Sequence, residues 1–395
     1  MDFDYPLPES SIAKHPPLHR EDARLLHVGN SGEWTDRNIT DLPSLLPSES
    51  AIWVNETKVL HARMMAVKPT GGALELLLLE PRDVPVEQSL TATSPVVWNA
   101  MVGGAKKWKS GPLEVPDSGV NLTVERDGES LKFSWSGGEA FGAVLDRLGR
   151  IPLPPYMRRE ADEDDANRYQ TVFARLPGSV AAPTAGLHLT PNLLEQLGAR
   201  SIPCQKVTLH VGVGTFKPLQ GAPSSHSMHG ERCIVDRKAL LEMASGRSIT
   251  AVGTTTMRTL ESLYWLACRW ESSGAGPKLE VNQWIHRDTP EPFSSFAAAM
   301  TYLAERVERE GSIEFVTRLM IVPGYRVRSA DRLLTNFHMP NSTLLCIVEA
   351  MIGPDWRRVY AHAVESGYRF LSYGDACLLE RRSESQQRTG VPILK

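Results

Sequence analysis

The stretch ERCIVDRKALLEMASGRSITAVGTTTMR, residues 231–258, decides the fold of this chain. Its hydrophobic spacing predicts a strand, a helix, a second strand and a second helix, over 231–235, 236–245 with Asp236 as the cap, 248–252 and from Met257 onward. Strands that alternate with helices are typical of a parallel α/β sheet. We therefore expect a large α/β domain.

The interval 62–145 has a different pattern, because short strands and turn residues replace the helices. Five strands are predicted, over 62–68, 73–80, 96–102, 120–126 and 130–135. Gly71-Gly72 and Asp127-Gly128 mark two of the turns, and strands of this length and spacing favour a small closed sheet. The predicted fold class is α/β, with a large α/β domain in two parts, 1–61 and 146–395, and an inserted small β-barrel at 62–145.

The composition narrows the functional class. The chain has 395 residues, 42% hydrophobic content and a net charge of −3, so any RNA contact must come from local basic patches. Its five cysteines are dispersed without a CxxC pair, which argues against a disulfide framework or a thiolate metal site. The N-terminus is acidic and proline-rich, unlike a signal peptide. We expect a cytoplasmic protein without a metal.

Two glycine-rich stretches resemble the walls of a site, PGSVAAPTAGLHL at 177–189 and VTLHVGVGTF at 207–216. Gly186 and Gly212 would allow the backbone to approach a ligand, and His188 and His210 can exchange protons near neutral pH. The alternative is a pair of tight turns with two hydrogen-bonded core histidines.

A second candidate site is the sequence AVGTTTMR at 251–258, where a strand meets a helix start. Free backbone N–H groups with the hydroxyls of Thr254 and Thr255 would suit a carboxylate or a phosphate, and Arg258 would assist. A Gly-Thr helix start is also common in α/β folds that bind no anion there.

Further polar residues fall on short loops. His229 and Glu231 would point to one side of an extended backbone, while the HxxH spacing of His226 and His229 is poor evidence for a metal without more ligands. Asn336, His338, Tyr373 and Asp375 lie on two later loops. Each of these side chains could equally be a satisfied structural group.

Taken together, the motifs closely resemble the S-adenosylmethionine:tRNA ribosyltransferase-isomerase family of the queuosine pathway. The motifs that carry the resemblance are YQTVF at 169–173, PGSVAAPTAGLH, VTLHVGVGTF, MHGE at 228–231, VGTTTMRTLES at 252–262, LLTNFHMPNSTLL at 333–345 and YRFLSYGDA at 368–376. VNETKVLHAR at 54–63 and IPLPPYMRRE at 151–160 occur in the same order. Only the segment 271–311, which is longer than usual, lies outside the resemblance.

The resemblance implies a large α/β domain with an inserted β-barrel, and a reaction. The ribosyl part of S-adenosylmethionine, the co-substrate, is transferred to 7-aminomethyl-7-deazaguanine at the wobble position of a tRNA. It isomerises to give epoxyqueuosine, and adenine and methionine leave. The implied partners are S-adenosylmethionine and a tRNA anticodon loop, without a membrane, for a monomer or small homo-oligomer.

The resemblance also selects residues. His188 and His229 rank first as proton carriers, followed by His210 and His338. The candidate substrate-binding residues are Tyr156, Tyr169, Gln170, Thr184, Gly186, Thr208, Gly212, Thr215, Glu231, Thr254, Thr255, Arg258, Asn336, Tyr373 and Asp375. The candidate RNA contacts are Arg158, Arg159, Arg357, Arg358, Lys106 and Lys107. A solvated surface role is an equal alternative for each basic pair.

Some positions depart from the family pattern. Glu56 replaces a usual Asn, and His61 replaces a usual Pro. These changes leave open two alternatives to the family reaction. One is a paralogue that uses S-adenosylmethionine on another nucleoside or RNA, and the other is a non-catalytic tRNA-binding relative.

Overall fold

The computed structural model describes residues 3–93, 95–116, 119–216, 219, 221, 223–274 and 279–382. Their strands are β1 Arg24–Val28, β2 Trp34–Asn38, β3 Ser50–Asn55, β4 Thr57–Val59, β5 Arg63–Val67, β6 Ala73–Pro81, β7 Val96–Val102, β8 Leu113–Glu114, β9 Thr123–Asp127, β10 Ser130–Ser134, β11 Leu176–Ser179, β12 Cys204–Leu209, β13 Glu231–Asp236, β14 Ser248–Val252, β15 Glu280–Val281, β16 Ser312–Thr317, β17 Arg332–Asn336 and β18 Ala376–Glu380. Their helices are α1 Leu42–Leu45, α2 Val86–Thr91, α3 Phe141–Leu148, α4 Asp165–Arg168, α5 Pro191–Ala199, α6 Arg237–Ala244, α7 Thr254–Ser273, α8 Ile285–Asp288, α9 Phe296–Arg306, α10 Thr343–Ile352 and α11 Trp356–Glu365.

The largest sheet has ten strands in the order β15-β16-β13-β12-β3-β14-β17-β18-β1-β2. Its four central strands, β12, β3, β14 and β17, are parallel, as the alternation of strands and helices predicts. On either side, β13 and β18 are antiparallel to their inner neighbours, so the sheet is mixed rather than wholly parallel. The prediction of an α/β fold is therefore confirmed, but the sequence pattern did not indicate the antiparallel flanks.

The core of this domain lies on both faces of the central strands. All six residues of β3 are buried, as expected for a strand covered on both sides. The helix α7 packs behind it and is buried from Thr254 to Cys268. A helix that is buried on every side for four turns forms a rigid support for the residues at its N-terminus.

Residues 63–134 contain six strands that pair in the closed order β10-β7-β6-β5-β8-β9. The helix α3 covers one end of this sheet, where Phe141 contacts the rings of Trp98, Phe133 and Trp135. The five strands expected from the sequence all have counterparts here. The sixth, β8, is only two residues long, too short to produce a periodic pattern.

Other boundaries differ from the sequence predictions. The helix α7 begins at Thr254 rather than Met257, because the helical turn starts directly after Gly253. The apolar sequence RLMIV at 318–322 predicts a further strand, but none forms there, since β16 ends at Thr317, where its pairing with β13 ends. The apolar side chains of Leu319 and Ile321 are buried there without a strand partner.

None of the described helices is both long and apolar enough to cross a bilayer. The Thr-Pro start and the leucines of residues 190–201 predict a short helix there. The helix α5 begins as predicted, since Thr190 Oγ1 accepts a hydrogen bond from the backbone N–H of Leu193 at 3.1 Å. The Asp236 carboxylate caps α6 in the same way, through the N–H of Ala239 at 2.6 Å.

Candidate active site

A cavity of about 290 Å³ lies where the central parallel strands end. The carboxyl edge of such a sheet is the usual ligand site in open α/β folds. Of the predicted site residues, seven line the cavity: Tyr156, Tyr169, Thr184, Thr254, Thr255, Asn336 and His338. The sequence analysis did not name some other residues of the cavity wall, although they lie within a few positions of residues that it named: Ala181, Ala182, Phe337, Leu371 and Ser372.

The N-terminus of α7 forms one wall. Gly253 joins β14 to α7 with φ of +89°, a backbone conformation that favours glycine. The buried Thr254 hydroxyl has no hydrogen-bond partner among the described residues, while Thr255 Oγ1 accepts from Asn55 Nδ2 at 3.4 Å. This wall therefore offers a free hydroxyl and helix N–H groups to an anionic ligand group.

Asn336, the last residue of β17, is held rigidly at the end of the strand next to β14. Its Oδ1 accepts from Thr184 Oγ1 at 2.8 Å, and its Nδ2 donates to His188 Nε2 at 3.1 Å and to the Asp375 carbonyl at 3.4 Å. Because the amide nitrogen can only donate, His188 Nε2 must accept, which makes His188 a neutral imidazole with its proton on Nδ1. Burial lowers the pKa of His188 to about 4, in agreement with this state.

His338 is the imidazole among the wall residues. Its Nε2 lies 3.0 Å from Thr335 Oγ1, and burial lowers its pKa to about 3. His188, which ranked first from the sequence, lies behind Asn336 rather than in the wall. Of the four candidate histidines, among which the sequence ranked His188 and His229 first, His338 is the one that lines the cavity.

The aromatic side chains make the cavity mainly apolar. Tyr169 is fully buried, and its hydroxyl has no hydrogen-bond partner of good geometry within the described part of the chain. Tyr156 hydrogen-bonds Ser372. Tyr373 does not line the cavity, because its hydroxyl donates to the buried Asp165 at 2.7 Å while its ring packs edge-on against Tyr169.

A second pocket, of about 20 Å³, contains His229, Glu231 and Arg258 and shares Leu344 with the cavity. Glu231 forms a buried ion pair with Arg258 and also accepts from the backbone N–H of Gly212 at 3.0 Å. Burial lowers the pKa of Arg258 to about 10. Glu231 is thus already neutralised by a protein cation.

The remaining predicted residues have structural partners. His210 Nδ1 lies 2.9 Å from Thr57 Oγ1, away from the cavity, and burial lowers its pKa to about 4. The Asp375 carboxylate accepts from two backbone N–H groups, at 2.8 and 2.9 Å, and burial raises its pKa. Gln170 bonds the backbone of β4 at Val59, Gly186 packs against Phe173, and Thr208 is buried in β12. The side chain of Thr215 lies outside the described residues.

The basic residues predicted to contact RNA differ in their exposure to solvent and in their ion pairs. Arg159 forms a two-point ion pair with Asp165, at 2.6 and 2.8 Å, whereas Arg158 is exposed and pairs with Glu9. Arg357 and Arg358 lie over tryptophan rings, with ring distances of 4.6 and 5.3 Å. Lys106 and Lys107 are exposed on a turn of the closed sheet. Among the described residues, no group of three His, Cys, Asp or Glu side chains could hold a metal.

The buried neutral histidines predict an acid-sensitive fold. The pKa values of His188, His210 and His338, about 4, 4 and 3 in the folded chain, lie below the ordinary value of about 6.5. The unfolded chain therefore takes up protons below pH 6.5 that the folded chain does not, and stability falls as the pH drops toward 4. Each histidine should remove about 1.4 kcal/mol per pH unit from the free energy of unfolding in this window.

Urea denaturation of the wild type and of His338→Gln, at pH 5.0, 5.75 and 6.5, tests this prediction. Averaged from pH 6.5 to 5.0, the variant should lose stability less steeply by about 1 kcal/mol per pH unit, because the unfolded histidine is only half protonated at pH 6.5. Identical slopes for the two proteins would show that His338 is not held neutral.

The fold defines an α/β protein with a cavity of small-molecule size at the carboxyl edge of its sheet. The family model described as "Queuosine biosynthesis protein" matches residues 1–379, and the chain therefore belongs to this family. The resemblance found in the motifs is thus confirmed.

The chain is similar to two proteins named S-adenosylmethionine:tRNA ribosyltransferase-isomerase. It is 41% identical to the one from Azoarcus sp. over 98% of both chains, and 38% identical to the one from Maricaulis maris over 97% of this chain and 99% of that one. A crystal structure of S-adenosylmethionine tRNA ribosyltransferase from Thermotoga maritima is 25% identical, with a TM-score of 0.46 over 95% of this chain and 99% of that chain.

Proposed function

We propose that this protein is an S-adenosylmethionine:tRNA ribosyltransferase-isomerase. It transfers the ribosyl part of S-adenosylmethionine to the 7-aminomethyl-7-deazaguanine of a tRNA anticodon and isomerises it, with release of adenine and methionine. The observation that carries the proposal is the convergence at one cavity of four separate motifs, represented by Tyr169, Thr184, Thr254 and Asn336. The names of the full-length relatives support it.

The walls of the cavity suit the co-substrate. The rings of Tyr156, Tyr169 and Phe337 offer apolar faces for adenine and electron-rich faces for the sulfonium cation. S-adenosylmethionine also carries a negative charge, on the carboxylate of its methionine part. We assign this carboxylate to the N-terminus of α7, beside Thr254. The Glu231 carboxylate lines a separate pocket and is already paired with Arg258, so it is not assigned the sulfonium.

The reaction needs a base for a proton of the carbon next to the sulfonium. His338 is assigned this role, because it lines the cavity and is neutral at pH 7, although a pKa of about 3 makes it a weak base. His188 is a positioning residue, since it reaches the cavity through its hydrogen bond to Asn336.

The body of the tRNA is bound outside the cavity, which receives only the base of the modified nucleotide. The proposal includes the interval 62–145 as an inserted β-barrel domain that carries Lys106 and Lys107 to the RNA. Arg158 and Arg358 are exposed on the large domain, and a phosphate would displace their solvent-accessible ion pairs with Glu9 and Asp355. Arg159, in contrast, is held by the buried Asp165. A tRNA substrate places the reaction in the cytoplasm.

The test uses purified protein with S-adenosylmethionine and either tRNA carrying the aminomethyl base or unmodified tRNA. Adenine is measured by chromatography, and the epoxide-bearing nucleoside by mass spectrometry. Release of adenine and formation of the epoxide should require the modified tRNA. Absence of both products with modified tRNA would refute the proposal, and equal adenine release with unmodified tRNA would favour a paralogue with another acceptor.

Removing the hydroxyl of Thr254 should weaken binding of the co-substrate. Thr254→Val keeps the shape but deletes one hydrogen bond to the carboxylate, so KM for S-adenosylmethionine should rise about tenfold while kcat stays within about twofold. Steady-state kinetics of adenine release measures both.

Thr256→Val is the matched control, because the Thr256 hydroxyl donates to the Val252 carbonyl at 2.7 Å instead of facing the cavity. An unchanged KM for S-adenosylmethionine in Thr254→Val would show that the methionine carboxylate does not bind at the N-terminus of α7.

A further inference from the structure

A small pocket beside the cavity contains two arginines, Arg20 and Arg168. Its volume is about 20 Å³, enough for one water-sized oxygen, and His188 forms part of its wall. Ser372 lines both this pocket and the large cavity, so the two are immediate neighbours.

The two guanidinium groups are fixed by neutral partners. Arg20 donates to the carbonyls of Asn167 and Gln170 at 3.0 and 2.9 Å. Arg168 donates to the carbonyls of Pro17 and Leu18, the latter at 3.1 Å. These carbonyls hold both side chains in place but do not cancel their charge.

In the part of the chain that the structure describes, no carboxylate neutralises this pair. Among the described residues, neither Arg20 nor Arg168 forms an ion pair, and the nearby Asp165 is already engaged by Arg159 and Tyr373. Burial and the like charge of Arg168 both lower the pKa of Arg20. Two close cations of fixed geometry, without a counter-charge, are stabilised by a bound anion.

The surface around the pocket is suited to a polyanion. The adjoining loop exposes Lys14, His15 and His19 to solvent, together with Leu18, which is 79% exposed. A free phosphate would need only the pocket, whereas an RNA strand would also cover this loop and run on into the cavity that holds its base.

We propose that the pocket formed by Arg20 and Arg168 binds a backbone phosphate of the RNA, next to the nucleotide whose base enters the cavity. The inference rests on the proposed function, since it takes the partner to be an anticodon strand. One phosphate oxygen occupies the pocket, and the two guanidinium groups supply the charge.

The experiment measures binding of an anticodon stem-loop RNA to the full chain from 50 to 200 mM KCl. Arg168→Met should weaken binding about tenfold and lower the slope of log Kd against log salt by about one unit, because one counterion fewer is released. Arg168→Lys replaces the planar guanidinium group but keeps the positive charge. It should therefore retain most of the wild-type slope of log Kd against log salt.

Arg200→Met is the matched control, because Arg200 also donates to a proline carbonyl, that of Pro43, and forms no ion pair among the described residues. It should keep the wild-type affinity and slope. Thermal melting of each variant reports any loss of folding separately from the charge effect.

A wild-type slope in Arg168→Met would overturn the inference, and so would the same reduced slope in Arg168→Met and Arg168→Lys. A rise in melting temperature with inorganic phosphate that Arg168→Met abolishes, without any change in RNA binding, would assign the pocket to a free anion and equally overturn it. A different result would refute the proposed function, namely that the wild-type protein releases no adenine with modified tRNA.

Discussion

His338→Ala should reduce adenine release by about 10² to 10⁴-fold, the range expected for loss of a general base. The imidazole of His338 lines the cavity, is neutral at pH 7 and is oriented by Thr335 Oγ1 at 3.0 Å. The effect should fall on kcat, because the base acts in the transition state, while KM for S-adenosylmethionine changes little. Single-turnover measurement of adenine with modified tRNA separates this step from product release.

His286→Ala is the control for this prediction. The pKa of His286 is also lowered to about 4 by burial, but this residue lies away from the cavity. It should release adenine at the wild-type rate once folding is confirmed by circular dichroism. If His338→Ala retains more than a tenth of the wild-type rate while His188→Ala loses activity, the base assignment passes to His188.

Glu261→Ala should destabilise the large domain by about 3 to 5 kcal/mol. The carboxylate of this residue is fully buried in α7 and accepts hydrogen bonds from the backbone N–H groups of Arg328 and Ser329, at 2.9 and 2.7 Å. The hydroxyls of Tyr325 and Ser329 donate to it as well, at 2.7 and 2.6 Å. Removing the carboxylate leaves four buried donors without an acceptor.

Urea denaturation followed by circular dichroism measures the change in the free energy of unfolding. Glu195→Ala, on the exposed side of α5, removes a carboxylate from a helix without buried partners and should change stability by less than about 0.5 kcal/mol. A loss below about 1 kcal/mol in Glu261→Ala would mean that water replaces the carboxylate.

Several strands and helices could be predicted from the sequence, because the residues that determine them are close together in the chain. The strand β14 was predicted with its correct ends and α5 and α6 to within about two residues, since hydrophobic period and capping residues act over a few positions. The strand expected at 318–322 failed for the opposite reason. Its apolar residues are buried by tertiary packing, while the hydrogen-bond ladder with β13 ends at Thr317.

In the candidate site, too, short motifs indicated individual residues, while tertiary contacts decided how these residues are arranged. Sequence motifs identified Asn336, His188 and Thr184 as separate suggestions, but the hydrogen bond from Asn336 to His188 joins residues 148 positions apart. Which of two histidines faces the cavity depends on such contacts. Arg20 and Arg168 were not predicted at all, because each lies in a segment without a recognisable motif.

The sequence by itself determined the family, the order of strands and helices, and the motifs that meet at the cavity, since these follow from residue identity and short-range periodicity. Only the tertiary structure decided that His338 lines the cavity and that Glu231 and Arg159 are already neutralised. It also decided that Arg20 and Arg168 have no carboxylate partner among the described residues. The physical reason is that burial and charge pairing depend on neighbours brought together from distant parts of the chain.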